Sequence, residues 1–585
     1  MRLSWIHELP NDGKLRAQWD ALVLESEQPE VFLTWEWAAA VAQSYGATLE
    51  PWIAAAYEGE DLVGVAALAR SSTTEAVFLA GTTADYCDFI SRPAIRQQFV
   101  DQVLHGLSQA GIRSVVLANL PADSVTVAAL NGNRLYKSFL RTGYVCGQVR
   151  FVSQQERQWV TQSLLKKKKF RRALDALDRL GPVTLQHDFR VGLRGSGLDE
   201  FYERHVARFL ATGRLSNLVM KERREFLFEL ARLLSDRGWF DLMNLWVGDR
   251  VVGSNYGFRF QGSWFWYCPT IVNEFEDLSP GICLLAKVVE DACHDPEVHL
   301  VDLGLGAEGY KERFANAERK TLHATLNCRT LDLLMARGRY HAATAIMTQP
   351  RLESLMRRAQ QRVRLGKQHV RENGWMSALA SAGQRLRRSL LSTDEARLFQ
   401  WQNRTASPPP SLRLVSLSWE ILSAAAMRYS EDRETLDYLL RSAQRLRSPA
   451  HAGFALLGED DIAQQFAWVA PYEGFAIPQL GEVLRALSPE SVMIFDCWTP
   501  REVQGKGLFC RTVEQLAARL SAEHKNVWIF SAGDPASQKA IENAGFGMQS
   551  SLVRRRVLSW SRVSQETWGM PERKPTEALS KGVVR

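Results

Sequence analysis

The chain has 585 residues, too many for one hydrophobic core, so several domains are expected. Its 46% apolar content is ordinary for a soluble globular protein, and the net charge of +7 is modest for the length but unevenly spread. No stretch approaches the roughly 18 uninterrupted apolar residues of a membrane span. The start, Trp5-Ile-His-Glu-Leu-Pro-Asn-Asp12, has no apolar leader. Eight scattered cysteines without a CxxC pair read as reduced core thiols in a cytoplasmic protein, with no metal site.

Residues 1–165 read as α/β. A helix (Thr34 to Tyr45) precedes the hairpin Trp52 to Ala69, whose polar turn contains Gly59. Strand-like Ala76 to Ala80 and Ser114 to Leu120 flank a helix from Ile95 to Ala110, and no phosphate loop appears.

Residues 166–330 open on the basic helix Lys166 to Leu180, capped by Gly181. The hairpin Trp239 to Phe260 follows, then strand Ser263 to Thr270, the loop Leu278-Ser-Pro-Gly281, helix Ile282 to Cys293 and strand His299 to Gly304. Gly253-Ser254-Asn255 reads either as channel wall or as a strand bulge. Residues 331–405 read as a basic helical linker ending near Pro408-Pro-Pro410. Within it Arg351 to Arg371 carries seven basic residues against Glu353, beside an apolar stripe. That helix either packs on its neighbours or touches an anionic inner membrane face.

Residues 406–562 form the C-terminal unit, with helical Trp419 to Leu446 and a hairpin from Ala452 to Ala470. The polar tail 563–585 reads as disordered. The richest segment is the strand Ser491 to Trp498, the loop Gln504-Gly505-Lys506-Gly507, and the helix from Leu508-Phe509 to Leu520. A second strand, Val527 to Ser531, leads to Asp534-Pro535 and a short helix stopping at Gly545. Backbone N–H groups of a glycine loop that opens a helix form an anion site, because unpaired donors and the helix dipole both favour a phosphate.

This segment resembles the GNAT acyltransferase superfamily. Its pyrophosphate signature, Gln/Arg-x-x-Gly-x-Gly/Ala, is matched by Gln504-x-x-Gly507-x-Phe509 with a departure at the last position. Residues 30 to 326 are similar to the cellulose-biosynthesis-type acetyltransferase family, a tandem GNAT layout like that of the Fem-type peptidyltransferases. The residues that carry this are Phe32-x-Thr34-x-x-Trp37, Glu58 to Gly64, Lys166 to Arg172, Gly248 to Gly253, Leu278-Ser-Pro-Gly281 and Asp302-x-Gly304-x-Gly306-x-Glu308-x-Tyr310-Lys311.

The resemblance implies an α/β (α+β) fold of three GNAT-like units with mixed central sheets flanked by helices, a tandem pair and then a C-terminal domain. It implies acetyl-CoA as co-substrate and acyl transfer onto an envelope or exopolysaccharide precursor, with a carbohydrate or amino-sugar acceptor. Coenzyme A would meet Trp498, Gln504 to Phe509, Asp534 and Ser537, with Gly281 at the equivalent loop of the second unit. Asp496 and Glu502 are the candidate bases, and Asp302 and Lys311 are the candidate catalytic groups of the second unit. The tyrosine that many GNAT enzymes use as acid would stand at Ile541, so Cys510, Tyr472 or water would have to replace it. Two alternatives stay open: a Fem-like transferase using charged tRNA gripped at Lys166 to Arg172, and a non-catalytic acyl-CoA sensor or scaffold. His205, His294 and His299 have neither metal spacing nor a triad partner and read as structural.

Overall fold

In the computed structural model, the residues described are 1–190, 197–306, 308–347, 391–402, 413–477, 480, 482–485, 490–523, 525–532, 534–557 and 560–567. The basic segment 351–371, expected to be helical, and the proline linker lie outside them. The described residues fall into two compact units, one running to 347 and one from 391 on, with 210–214 grouped with the second. Each is an α/β structure built on a large mixed sheet flanked by helices.

The first unit holds a sheet of thirteen strands among the described residues. The strands of its two sequence halves interleave. Ala317–Asn327 lies antiparallel between Ser114–Pro121 and Lys137–Arg150, and Lys137–Arg150 pairs on its other side with Leu300–Asp302. The long strand Lys137–Arg150 therefore joins the halves into one ladder, with Val149 and Phe151 buried beside Trp264, Trp266 and Leu284 in one core.

The basic helix forms at Lys168–Asp178. Its apolar face is buried: Phe170 stacks on Phe314 at 4.4 Å between ring centres, and Leu177 enters the same core. Lys166, Lys168, Lys169, Arg171 and Arg172 stay exposed, as expected for the polar side of an amphipathic helix. Ser254 and Asn255 are fully buried beside a register shift between Val251 and Gly253. Ser254 Oγ donates to Asn244 Oδ1 at 2.7 Å, whereas the buried Asn255 Oδ1 has no hydrogen-bond partner.

Among the described residues the second unit holds an eight-stranded sheet and the small pair Ala476–Ile477 with Glu482–Val483. Two sequence expectations fail here. Leu391–Trp401, expected to continue a helical linker, is a strand between Asn526–Ser531 and Phe546–Val557. Ala396 and Leu398 pack on one side of it and Phe399 enters the helix-side core, a two-faced burial that helix periodicity does not describe. A last strand, Trp560–Thr567, pairs with Phe546–Val557 and continues past Arg562, where a disordered tail was expected. On the helix Leu508–Ala522, Val513, Leu516, Ala517 and Leu520 share one face and bury it against Ile494 and Ile529.

One device appears three times: strand, helix, parallel strand. It is made by Glu75–Phe78, Arg96–Gln109 and Ser114–Pro121; by Ser263–Ile271, Pro280–His294 and Leu300–Asp302; and by Ser491–Trp498, Leu508–Ala522 and Asn526–Ser531.

Candidate active site

In the C-terminal sheet the parallel strands pair only from Ser491 opposite Asn526 to Ile494 opposite Ile529, and then part. The neighbouring antiparallel ladder shows why. Between the pairs Trp468–Phe495 and Phe466–Trp498, the strand Ser491–Trp498 carries one extra residue. Asp496 takes up this bulge at φ +44°, a left-handed conformation unfavourable for a residue with a side chain.

The parted strands leave a cavity of about 700 Å³. Phe495, Asp496 and Cys497 line it from one strand, Ile529 to Ala532 from the other, and Phe509, Ser537 and Ile541 from the two helices. Arg441, Arg445, His451 and Glu473 complete the wall.

The helix lining this cavity starts at Gly507, which is left-handed (φ +71°) and provides no side-chain cap. Gly505 is left-handed too (φ +79°). A Cβ built at either glycine meets nothing within 4 Å, so the loop faces open space. The first-turn N–H groups of a helix have no intrahelical acceptor, and here no cap residue serves them. Gln504 steadies the loop by donating Nε2–H to the Thr499 carbonyl at 2.9 Å, and Lys506 is exposed.

Of the residues expected at this site, Asp496, Phe509 and Ser537 line the cavity. Leu508 instead joins a small core with Leu456 and Val503. Trp498 stacks on Tyr438 at 5.5 Å and donates its indole N–H to Thr435 Oγ1 at 2.9 Å. Asp534 is the N-cap of Pro535–Asn543, accepting from Ala536 and Ser537 backbone N–H. Glu502 is not brought to the cavity. It sits half exposed on a single turn, Arg501–Val503, and both its oxygens accept from Arg428.

Asp496 forms an ion pair with Arg445, and its carbonyl accepts from Tyr438 Oη at 3.1 Å. Burial and the Asp496 charge push the Cys497 thiol up to about 12, so this cavity thiol stays protonated at neutral pH. Ile541 is a buried core residue as well as cavity wall. The proposed replacements for the missing tyrosine sit elsewhere: Tyr472 packs on Trp528, and Cys510 packs against the core under the helix.

In the first unit, Ser263–Ile271 and Leu300–Asp302 also pair in parallel for three residues, from Ser263–Leu300 to Phe265–Asp302. The strand again carries one extra residue, between the pairs Phe258–Phe265 and Tyr256–Cys268. The following helix again starts from a left-handed residue without a side-chain cap, Ser279 at φ +57°. Gly281 lies in its first turn, where a Cβ would meet Ile271 at 3.3 Å.

This gap is crossed by protein. Trp266 Nε1 donates to Tyr310 Oη at 3.1 Å, and Tyr267 Oη donates to the Thr83 carbonyl. Asp302 is buried and spends its carboxylate on Tyr86 Oη (2.9 Å), Gln148 Nε2 (2.8 Å) and Gly304 N–H (2.8 Å). Lys311 Nζ, also buried, donates to the Leu305 carbonyl at 3.0 Å and lies 3.6 Å from Glu308. Burial and the Asp302 charge push Asp85 up to about 7, while Lys311 opposes them. The structure thus gathers Asp302 and Lys311 with Asp85. His205 is buried against Ser216 Oγ at 2.9 Å, and burial followed by Arg223 lowers it to about 3.

The sequence reading missed Arg441, Arg445, His451, Glu473 and Ser531. Arg441 and Arg445 carried a signal, since residues four apart on a helix share a face. His451 carried none, because only the returning strand brings it opposite Phe495.

Residues 166–312 match the model of a family described as "Acetyltransferase (GNAT) domain". No curated protein matches the chain. Among solved structures, FemX is 10% identical and covers 57% of this chain and 99% of its own, with a TM-score of 0.42. A tandem GNAT protein from the clavulanic acid biosynthesis pathway is 12% identical over 55% of this chain and 98% of its own, with a TM-score of 0.33. A GCN5-related N-acetyltransferase from Sphaerobacter thermophilus is 12% identical over 55% and 95%, with a TM-score of 0.27. Among the described residues no helix is long and apolar enough to cross a membrane.

Proposed function

We propose that the chain is an acyl-coenzyme A-dependent acyltransferase, and that the thioester enters between the parted strands of the C-terminal sheet. The observation that carries this is the coincidence of the cavity, the bulge at Asp496 and the left-handed glycine start of the Leu508–Ala522 helix. The loop Gln504 to Phe509 would hold the pyrophosphate through its backbone N–H groups, with Lys506 adding charge. The pantetheine arm would run between Phe495–Cys497 and Phe530–Ala532, where the parallel ladder has ended and strand polar groups seek partners. Strand N–H groups from the bulge to Trp498 would polarise the thioester carbonyl, a role suited to preorganised donors in a desolvated site. Ser537 and Asp534 would shape the far wall.

The acceptor is a nucleophilic amine or hydroxyl. The likeness of residues 30 to 326 to envelope-modifying transferases favours one carried on a carbohydrate or amino sugar. Calorimetry with acetyl-CoA on the full chain tests the site. Gly507→Glu places a carboxylate where the pyrophosphate would lie and strains a left-handed position, so affinity should fall at least tenfold. Unchanged affinity removes the loop from the site.

A second reading is favoured by the family match at 166–312: transfer is carried by the tandem sheet, with Asp302 and Lys311 gathered around Asp85. On that reading Lys311→Ala abolishes turnover while leaving acetyl-CoA binding at Gly507 intact.

A further inference from the structure

We propose that His451 is the proton acceptor of the C-terminal cavity, taking a proton from an incoming ammonium before it attacks the thioester. This rests on the reading of that cavity as the acyl-CoA site.

His451 lies just before the strand Ala452–Leu457 and lines the cavity, with its ring 5.7 Å from that of Phe495. Its Nδ1 is shut off from solvent and has no hydrogen-bond partner. No neighbour fixes the tautomer, and with the proton on the sealed Nδ1 the ring keeps its lone pair on Nε2.

Of the surrounding charges, the guanidiniums disfavour the imidazolium and the carboxylates favour it. Arg441 and Arg445 face the cavity from the helix Arg433–Leu446, Asp496 and Cys497 from the bulge, and Glu473 from the loop after Ala463–Pro471. Burial and then the Arg445 guanidinium hold the imidazole below the ordinary histidine value, so it is neutral at pH 7. Asp496, the carboxylate on the same wall, is already occupied by Arg445. Glu502 is occupied by Arg428 outside the cavity.

The step balances without a further reagent. The ammonium gives one proton to the imidazole, which releases it to solvent. The amine nitrogen then bonds to the thioester carbon, the C–S bond breaks, and the second N–H proton leaves with sulfur as the free thiol.

The test uses the full chain and His451→Gln, which keeps much of the volume and a polar end but takes no proton. Acetyl-CoA binding is measured by calorimetry, and thiol release with a panel of primary amines is followed from about pH 5 to about pH 9. The expected result is unchanged acetyl-CoA affinity, a fall in kcat/KM of about 10²–10⁴-fold, replacement of the acidic limb set by the imidazole with a rise that follows the free-amine fraction, and recovery of His451→Ala by added imidazole. Wild-type turnover with a wild-type pH profile in His451→Gln overturns the assignment of His451 alone. Failure of the wild-type chain to bind acetyl-CoA overturns the site reading itself. If no amine in the panel is acylated, ¹³Cε1 spectra of histidine-labelled protein decide. The signal removed by His451→Gln must titrate below the ordinary histidine value and move on adding acetyl-CoA; a signal that ignores acetyl-CoA overturns the proposal.

Discussion

The gap beyond Phe265 and the gap beyond Ile494 are made by the same backbone device and hold different things. In both, a parallel strand pair ends after a few residues, one extra residue bulges the first strand, and the next helix starts from a left-handed residue without a side-chain cap. Beside Trp266, the loop after Asp302 returns and crosses the gap with Tyr310. Beside Phe495, the chain after Ser531 leads into the short helix Pro535–Asn543, and a cavity of about 700 Å³ remains. Backbone geometry therefore makes a place where a ligand can enter, and the following loop decides whether protein enters first.

The helix starts differ in the same sense. Gly507 and Gly505 leave open space above the first-turn amides. At the other start Pro280 has no N–H to offer, and a Cβ at Gly281 would press on Ile271.

The comparison can be broken most severely by removing a strand. A C-terminal fragment that starts after Trp401 lacks the strand between Asn526–Ser531 and Phe546–Val557 and should show no cooperative thermal unfolding. A fragment that starts several residues before Leu391 should unfold cooperatively. Equal behaviour of the two would mean that the cavity does not depend on that ladder.

A smaller effect is expected at the filled gap. Asp302→Ala strips acceptors from Tyr86, Gln148 and Gly304 and should destabilise the first unit by about 3 kcal/mol in urea unfolding. Acetyl-CoA affinity of the folded chain should not change. A loss of affinity would show that Asp302 serves a ligand and not only the fold.

The smallest effect sharpens the likeness of the two helix starts. Ser279 adopts a conformation that costs a residue with a side chain about 1–2 kcal/mol, and glycine's extra freedom when unfolded returns part of any gain. Ser279→Gly should therefore stabilise by about 0.5 kcal/mol, read as a small rise in urea midpoint. A fall would mean that the Ser279 side chain does work its geometry does not show.

Much of this architecture was legible. Hairpins announced themselves by apolar runs around Gly59 and Gly248-Asp249, and the phosphate-loop pattern at Gln504 to Gly507 located a helix start with left-handed glycines. The interleaving of Lys137–Arg150 with the later strands was not legible, because pairing between residues about 170 apart, such as Gly147 with Glu318, leaves no local trace. Leu391–Trp401 was misread because its residues are buried on both faces, which removes the alternation that marks a half-buried strand. At the site, Asp496 read as one residue in an alternating strand; its left-handed bulge is set by the register against Phe466 and Trp468. His451 could not be found from sequence for the same reason. Its partners in the cavity come from a helix before it and a strand some 45 residues after it.

The central claim is that acyl-coenzyme A is held by the open gap and not by the filled one. Hydrogen exchange of the full chain, with and without acetyl-CoA, tests this most directly, because the first-turn amides of Leu508–Ala522 lack intrahelical acceptors, whereas Ile282 and Cys283 already donate to the Ser279 carbonyl. The account predicts slowed exchange at Gly505 to Cys510 and at Phe530 to Ile541, with Ile282 to Leu285 unchanged. Protection at Ile282 to Leu285, with none at Gly505 to Cys510, would contradict it.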